Sequence, residues 1–223
     1  MSYLERGIKM KSKSLLLLCL GLSIVLGNFL MPLKAEENNK NEIIVDSMFS
    51  ELDVNDKVLE LPDGGFLYGG QATVVDAEDE SIVLGVYNSE TDPNSITVEE
   101  AKEILLEESE NPIQTRGASL PNQTYVLQPG VVYQSKVFSG TGWRFGGYYF
   151  KSGGNGDWLK WSTYNDDGRV GDIGDGLSVL NNASSTRGTN LYVGYPQYLN
   201  AVSGLVYFTY NPKSGTCYKV ENN

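Results

Sequence analysis

The sequence predicts a mainly β protein, with a C-terminal antiparallel β-sandwich or barrel-like domain preceded by a small acidic α+β segment. Three observations carry that expectation. Strand-length apolar runs separated by glycine-rich turns recur at regular spacing through the last hundred-odd residues. Aromatic side chains concentrate there too: 11 of the 14 tyrosines and all three tryptophans follow residue 116. Charge is sorted along the chain. Residues 1–35 hold five basic and one acidic residue (+4), residues 36–115 three and 21 (−18), and residues 116–223 nine and six (+3), which together give −11. These blocks set the expected organisation: a signal peptide over 1–35, an acidic α+β segment over 36–115, a linker over 116–122 and an aromatic- and Gly-rich all-β domain over 123–223.

The leader has the three parts of a secretory signal. Lys9, Lys11 and Lys13 form a positive region, and Leu15 to Leu26 is an apolar run of 12. That run is shorter than the ~20 apolar residues a membrane span needs. Leu33-Lys34-Ala35 offers a small residue at a cleavage position, so Ala35 is the expected processing site. The expected localisation is secreted and extracellular, with no integral membrane segment in the mature chain.

In the acidic segment, Ile43-Ile44-Val45 and Met48-Phe49 form an apolar patch. Lys57 to Leu61, Phe66 to Tyr68, Ala72 to Val75 and Ser81 to Tyr87 read as strands around the turn Pro62-Asp63-Gly64-Gly65. One helix is predicted over Val98 to Ser109. Thr97 and Glu100 have the spacing of a capping box, Val98, Ala101 and Leu105 share one face, and Asn111-Pro112 stops it. Such a segment is a candidate pro-region, docked on the more basic domain and cut near Arg116 in the polar stretch Gln114 to Ser119. The alternative is a permanent acidic domain whose charge serves solubility.

After the linker, strands are expected at Gln123 to Leu127, Val131 to Phe138, Trp143 to Phe150, Trp158 to Tyr164, Leu177 to Leu180, Asn190 to Val193, Leu205 to Tyr210 and Thr216 to Val220. Short strands between glycine-rich turns argue a sandwich or barrel. In Trp158 to Tyr164 the alternation sets Leu159 and Trp161 on one face and Trp158, Lys160 and Tyr164 on the other. Trp161 is therefore the packed ring, and Trp158 and Tyr164 the exposed ones. The Gly146-Gly147 pair is expected to bend or bulge its strand.

Several classes of chemistry fall away at once. The chain has no histidine, which removes the Ser-His-Asp triad, the Cys-His pair and every His-containing zinc site. Cys217 is the one cysteine after the leader and cannot form an internal disulfide. A small buried residue in a terminal strand is the plainest role for it. A cysteine-poor exported chain fits a Gram-positive type of bacterium. The arginines do not cluster, so nucleic acid is not an expected partner.

Two constellations remain. Exposed aromatics on a rigid sheet offer flat apolar faces with polar tips, the surface on which sugar rings stack. Trp158, Tyr164, Tyr148 and Tyr149 are the candidate ligand-binding residues. Asp166, Asp167, Asp172 and Asp175 lie in one glycine-rich stretch, where oxygen ligands on a turn suit calcium. The EF-hand register fails there, with Thr163 and Gly174 at its first and last ligand positions, and Asx turns explain the same residues. No cofactor is expected beyond that calcium candidate. No catalytic residue is recognisable, and the acids of the last domain could supply only an unplaced carboxylate pair. The expectation is a non-catalytic binding protein that recognises an extracellular surface, with envelope glycan as the ligand class. A toxin- or bacteriocin-like precursor activated near Arg116 and a carboxylate-dependent glycan hydrolase are the alternatives.

Overall fold

The computed structural model describes residues 42–110, 120–137, 144–154, 158–163, 177–180, 189–200, 204–208 and 217–223. The described residues open with a short helix, α1 (42–48), which buries Ile44, Val45 and Met48, with Phe49 just beyond its end. Only the apolar patch of this helix is visible in the sequence, because two turns repeat the stripe once and the 3.6-residue period cannot emerge.

The strands follow as β1 (Lys57–Glu60), β2 (Phe66–Tyr68), β3 (Gln71–Asp76), β4 (Val83–Asn88) and β5 (Ile96–Thr97), then helix α2 (Val98–Glu110). After it come β6 (Gln123–Leu127), β7 (Val132–Gln134), β8 (Arg144–Ser152), β9 (Trp158–Thr163) and β10 (Leu177–Leu180), then β11 (Thr189–Asn190), β12 (Gln197–Asn200), β13 (Gly204–Phe208) and β14 (Tyr218–Glu221). Among the described residues they form two sheets, ordered β12-β9-β14-β7-β2-β1-β5 and β11-β10-β13-β8-β6-β3-β4. Pairing is antiparallel apart from the parallel β6–β8 pair. The protein is mainly β, and the sheets pack without closing into a barrel.

The two sheets enclose one interior. Leu59, Leu67, Tyr133, Leu159, Trp161, Tyr218 and Val220 reach in from the first sheet, and Ala72, Val74, Tyr125, Leu127, Tyr148 and Phe150 from the second. Each large buried side chain contributes roughly 1.5–3 kcal/mol through removal from water. Rings fill much of the space. Phe150 meets Trp161 edge-on at 5.4 Å, and Tyr125 meets Tyr148 edge-on at 4.2 Å, the arrangement ring quadrupoles favour.

The expected boundary at 116–122 does not separate two cores. β2 lies between β1 and β7, and β3 between β4 and β6, so both sheets mix strands from the acidic segment with strands from the aromatic one. Residues 41–223 make one compact unit. The physical reason is that charge sorting acts on solvent-facing positions. Leu59, Leu67, Ala72 and Val74 face inward beside the acids and belong to the same interior as Trp161.

The chain passes from the first sheet to the second at Gly69-Gly70 and back at Gln128 to Val131. Gly69 has φ +78°, and a Cβ there would meet the Gly130 carbonyl oxygen at 2.5 Å. Only glycine lets these two crossings touch.

Helix α2 begins where the sequence places it. Thr97 Oγ1 accepts from the Glu100 N–H at 3.2 Å, and Glu100 Oε2 accepts from the Thr97 N–H at 2.8 Å. With α1 it covers the outer face of β1, β2 and β7. Ile44, Val45, Met48, Phe49, Val98, Ala101 and Leu105 pack there on Val58, Phe66, Tyr68 and Val132. Cys217 is buried in this helix-to-sheet layer.

Candidate functional site

The same outer face continues past β14 onto β9 and β12, the last strand of this sheet among the described residues. Alternation along β9 buries Leu159 and Trp161 and turns Trp158 and Lys160 outward. On β12, Tyr198 stands opposite Lys160 and Asn200 opposite Trp158. Trp158 and Tyr198 are therefore diagonal neighbours on one face, about 7–8 Å apart and within reach of large rings. Trp158 is 55% exposed and Tyr198 58%. Tyr195, 67% exposed, stands in the tight turn that leads into β12. Asn200 and Lys160 supply hydrogen-bonding groups beside the rings.

Between this strip and the helix-covered half lies a charged seam. Lys160 Nζ is 2.9 Å from Glu221 Oε2, Lys219 Nζ is 3.4 Å from Glu221 Oε1, and Lys219 also reaches Glu51 at 2.9 Å. The Lys219 and Glu221 side chains are 4% and 6% exposed. At that depth each charge depends on its partners, because an isolated one is strongly disfavoured. The hydrogen bond from Lys219 holds the Glu51 carboxyl below its ordinary value. Through Glu221 the seam fixes the Lys160 ammonium, and with it one rung of the aromatic strip.

The sequence-selected residues separate in space. Trp158 is exposed and Trp161 packed, as alternation predicts. Tyr148 is buried in the sandwich interior and offers no face to a ligand, which corrects its candidacy. Its strand turns alternate residues inward, and the second sheet needs that ring to fill space beside Tyr125. Tyr149 points to the other side of the second sheet, packed beside Leu180 and Phe145, and so lies in a different layer from Trp158. Tyr164, Asp166, Asp167, Asp172, Asp175, Ala35 and Arg116 lie outside the described residues. Sequence reasoning missed Tyr198. The available signal was the Gly194-Tyr195-Pro196 turn before a short alternating run, but four residues are too few to separate a strand from a loop by period.

A second constellation sits in the turn between β1 and β2. Asp63 Oδ2 accepts from the Tyr133 hydroxyl at 2.6 Å, and Oδ1 accepts from the Gly65 N–H at 3.0 Å. Burial raises the Asp63 pKa, partly offset by the hydrogen bonds from Tyr133 and Gly65 and by the charge of Lys136. Burial also pushes the Tyr125, Tyr133 and Tyr218 hydroxyls well up, so these rings remain neutral. Gly147 lets β8 pass this carboxyl, since a Cβ there would meet Asp63 Oδ2 at 3.1 Å. The arrangement is one carboxyl held by a phenol and a backbone amide, which orders the turn against the core.

Among the described residues no group of three or more His, Cys, Asp and Glu is placed to hold a metal ion. No helix among them is long and apolar enough to cross a membrane. No protein-family model, curated protein or solved structure matches the chain.

Proposed function

We propose that this is a secreted, non-catalytic binding protein that recognises an extracellular surface, with envelope glycan as its ligand class. One observation carries the reading: Trp158 and Tyr198 stand exposed on neighbouring rungs of an edge pair, while Trp161, Tyr133 and Tyr218 of the same sheet are buried. Rings that do not serve the core are free to stack on the apolar faces of sugars, with Asn200 and Lys160 available to hydroxyl groups. The surface is an open strip, so one contact is weak, and a repeating polymer strengthens it through many simultaneous contacts. The basic, apolar leader supports export.

The alternative of a removable acidic pro-segment carries a structural cost. Release after a cut near Arg116 would strip β1 to β5 from the two sheets and expose the interior they share.

The test is retention of the full chain on insoluble cell walls, measured for the native protein and for Trp158→Ala and Tyr198→Ala. Each substitution is expected to weaken retention about tenfold, equal to about 1.4 kcal/mol, with an unchanged thermal midpoint. Equal retention of all three proteins would reject this strip as the binding surface.

A further inference from the structure

The second sheet ends at β4, with no strand beyond it among the described residues. An edge strand presents unpaired backbone donors and acceptors, and natural proteins normally give such edges charged side chains. β4 does the opposite along its length. Val83, Leu84 and Val86 are 58%, 48% and 56% exposed, and Ile82 just before the strand is 49% exposed. The ladder to β3 pairs Ala72 with Tyr87 and Val74 with Gly85, and the Ser89 N–H donates to the Gly70 carbonyl. By the alternation of an antiparallel ladder, the N–H and C=O groups of Val86 and the N–H of Asn88 turn away from β3, while the Asn88 carbonyl accepts from the Thr91 and Asp92 N–H groups of the following turn. A bulge at Leu84 interrupts the register and limits the pairable stretch to the part that follows it.

Charge is concentrated at the two ends of this apolar edge. Residues 76–92 hold six acids and no base: Asp76, Glu78, Asp79 and Glu80 before the strand, Glu90 and Asp92 after it. Asp76 and Asp79 are fixed by turn hydrogen bonds to the backbone of Glu78 and Ser81. Among the described residues, the ion pair in this stretch is Glu80 with Lys151. A second copy is a poor occupant. Antiparallel pairing of two β4 strands sets the Glu78 end of one against the Glu90 end of the other, and parallel pairing sets each end against itself. Both arrangements bring like charges together.

We propose that β4 is a docking edge for an extended peptide segment of another protein, with alternate apolar side chains at its centre and Lys or Arg at both ends. The segment adds to the second sheet as a further strand. Its backbone bonds to the N–H and C=O of Val86 and to the N–H of Asn88, its apolar side chains cover Val86, and its basic ends meet the two acidic turns. The site is on a different sheet from the Trp158 strip, so either can fail without the other.

The test uses the full chain and a synthetic peptide with a Val-Thr-Val-Thr-Val core and two lysines at each end, against a twin with glutamates in their place. The Lys-flanked peptide is expected to bind about tenfold tighter or more than its twin, with the advantage shrinking as salt screens the charges. Amide exchange at Val86 and Asn88 should slow on binding. Val86→Pro removes an outward donor at an edge position that tolerates proline and should abolish binding. Val86→Thr, which keeps the strand, should weaken binding several-fold and covers the case of a misfolded proline variant. Equal binding of the two peptides, or unchanged amide exchange, overturns the proposal. A concentration-dependent dimer lost on Val86→Thr assigns the edge to a second copy, and sedimentation with neutral phosphatidylcholine vesicles assigns it to lipid; either result overturns it too.

Discussion

The outer face of the first sheet has two halves that share strand chemistry and differ in what lies above them. Over β1, β2 and β7, the outward Val58, Phe66, Tyr68 and Val132 are sealed beneath α1 and α2. Over β9 and β12, Trp158 and Tyr198 meet solvent. The boundary is the Lys160–Glu221–Lys219–Glu51 seam. An outward-facing aromatic is thus structural on one side and available to a ligand on the other. Its own identity does not decide which. The presence of a covering helix does.

Mutations can break this contrast. The largest effect is expected under the helices. Phe66→Ala should cost about 3–5 kcal/mol, read from urea unfolding, because Phe66 is fully buried against Phe49. A loss as small as that of a surface change would show that the helices do not seal this half. At the seam, Lys219→Met leaves Glu221 enclosed with Lys160 alone and should cost about 3 kcal/mol, as breaking a buried pair does. A neutral result would show that water reaches the seam.

A pH series sharpens the contrast between enclosed and exposed carboxyls. The Asp63 pKa is raised in the fold, so its contribution to stability is complete below the ordinary aspartate value of about 3.9 and is lost as pH rises through the folded value. Glu51 is lowered, so its contribution is present above its ordinary value and lost as pH falls through the folded one. Asp63→Asn should therefore gain stability relative to the native protein on going from about pH 4 to about pH 7, measured from urea midpoints. Glu51→Gln should lose relative stability over the same change. A gap independent of pH for either variant would contradict its assignment. The smallest effect belongs to the bare half: Trp158→Ala should shift stability by no more than about 0.5 kcal/mol. A core-sized loss would place Trp158 among the structural rings.

Much of the local structure was legible in advance. β6 and β10 occupy the runs read from the sequence, and α2 starts at its capping box, because turns, caps and alternation act between residues a few positions apart. The fate of Trp158 and Trp161 followed from the same alternation. Tyr148 was misjudged because facing is relative to a partner sheet, and no pattern within β8 names that partner. The separation of acidic and aromatic domains failed for a related reason. Acids mark where a strand meets water, while Leu59 and Val74 on alternate positions carry the burial that joins those strands to Trp161.

The sequence by itself determined the limits of β2, β6 and β10, the start of helix α2, and that no histidine chemistry is open to the chain. Only the tertiary structure decided which strands share a sheet across position 116, which outward rings are covered, and that Lys219 and Glu221 are paired below the surface. Those outcomes depend on contacts between residues far apart in the chain, such as Glu51 with Lys219 and Asp63 with Tyr133. Local propensity carries no record of such contacts, because their energy arises only when the sheets and helices close over them.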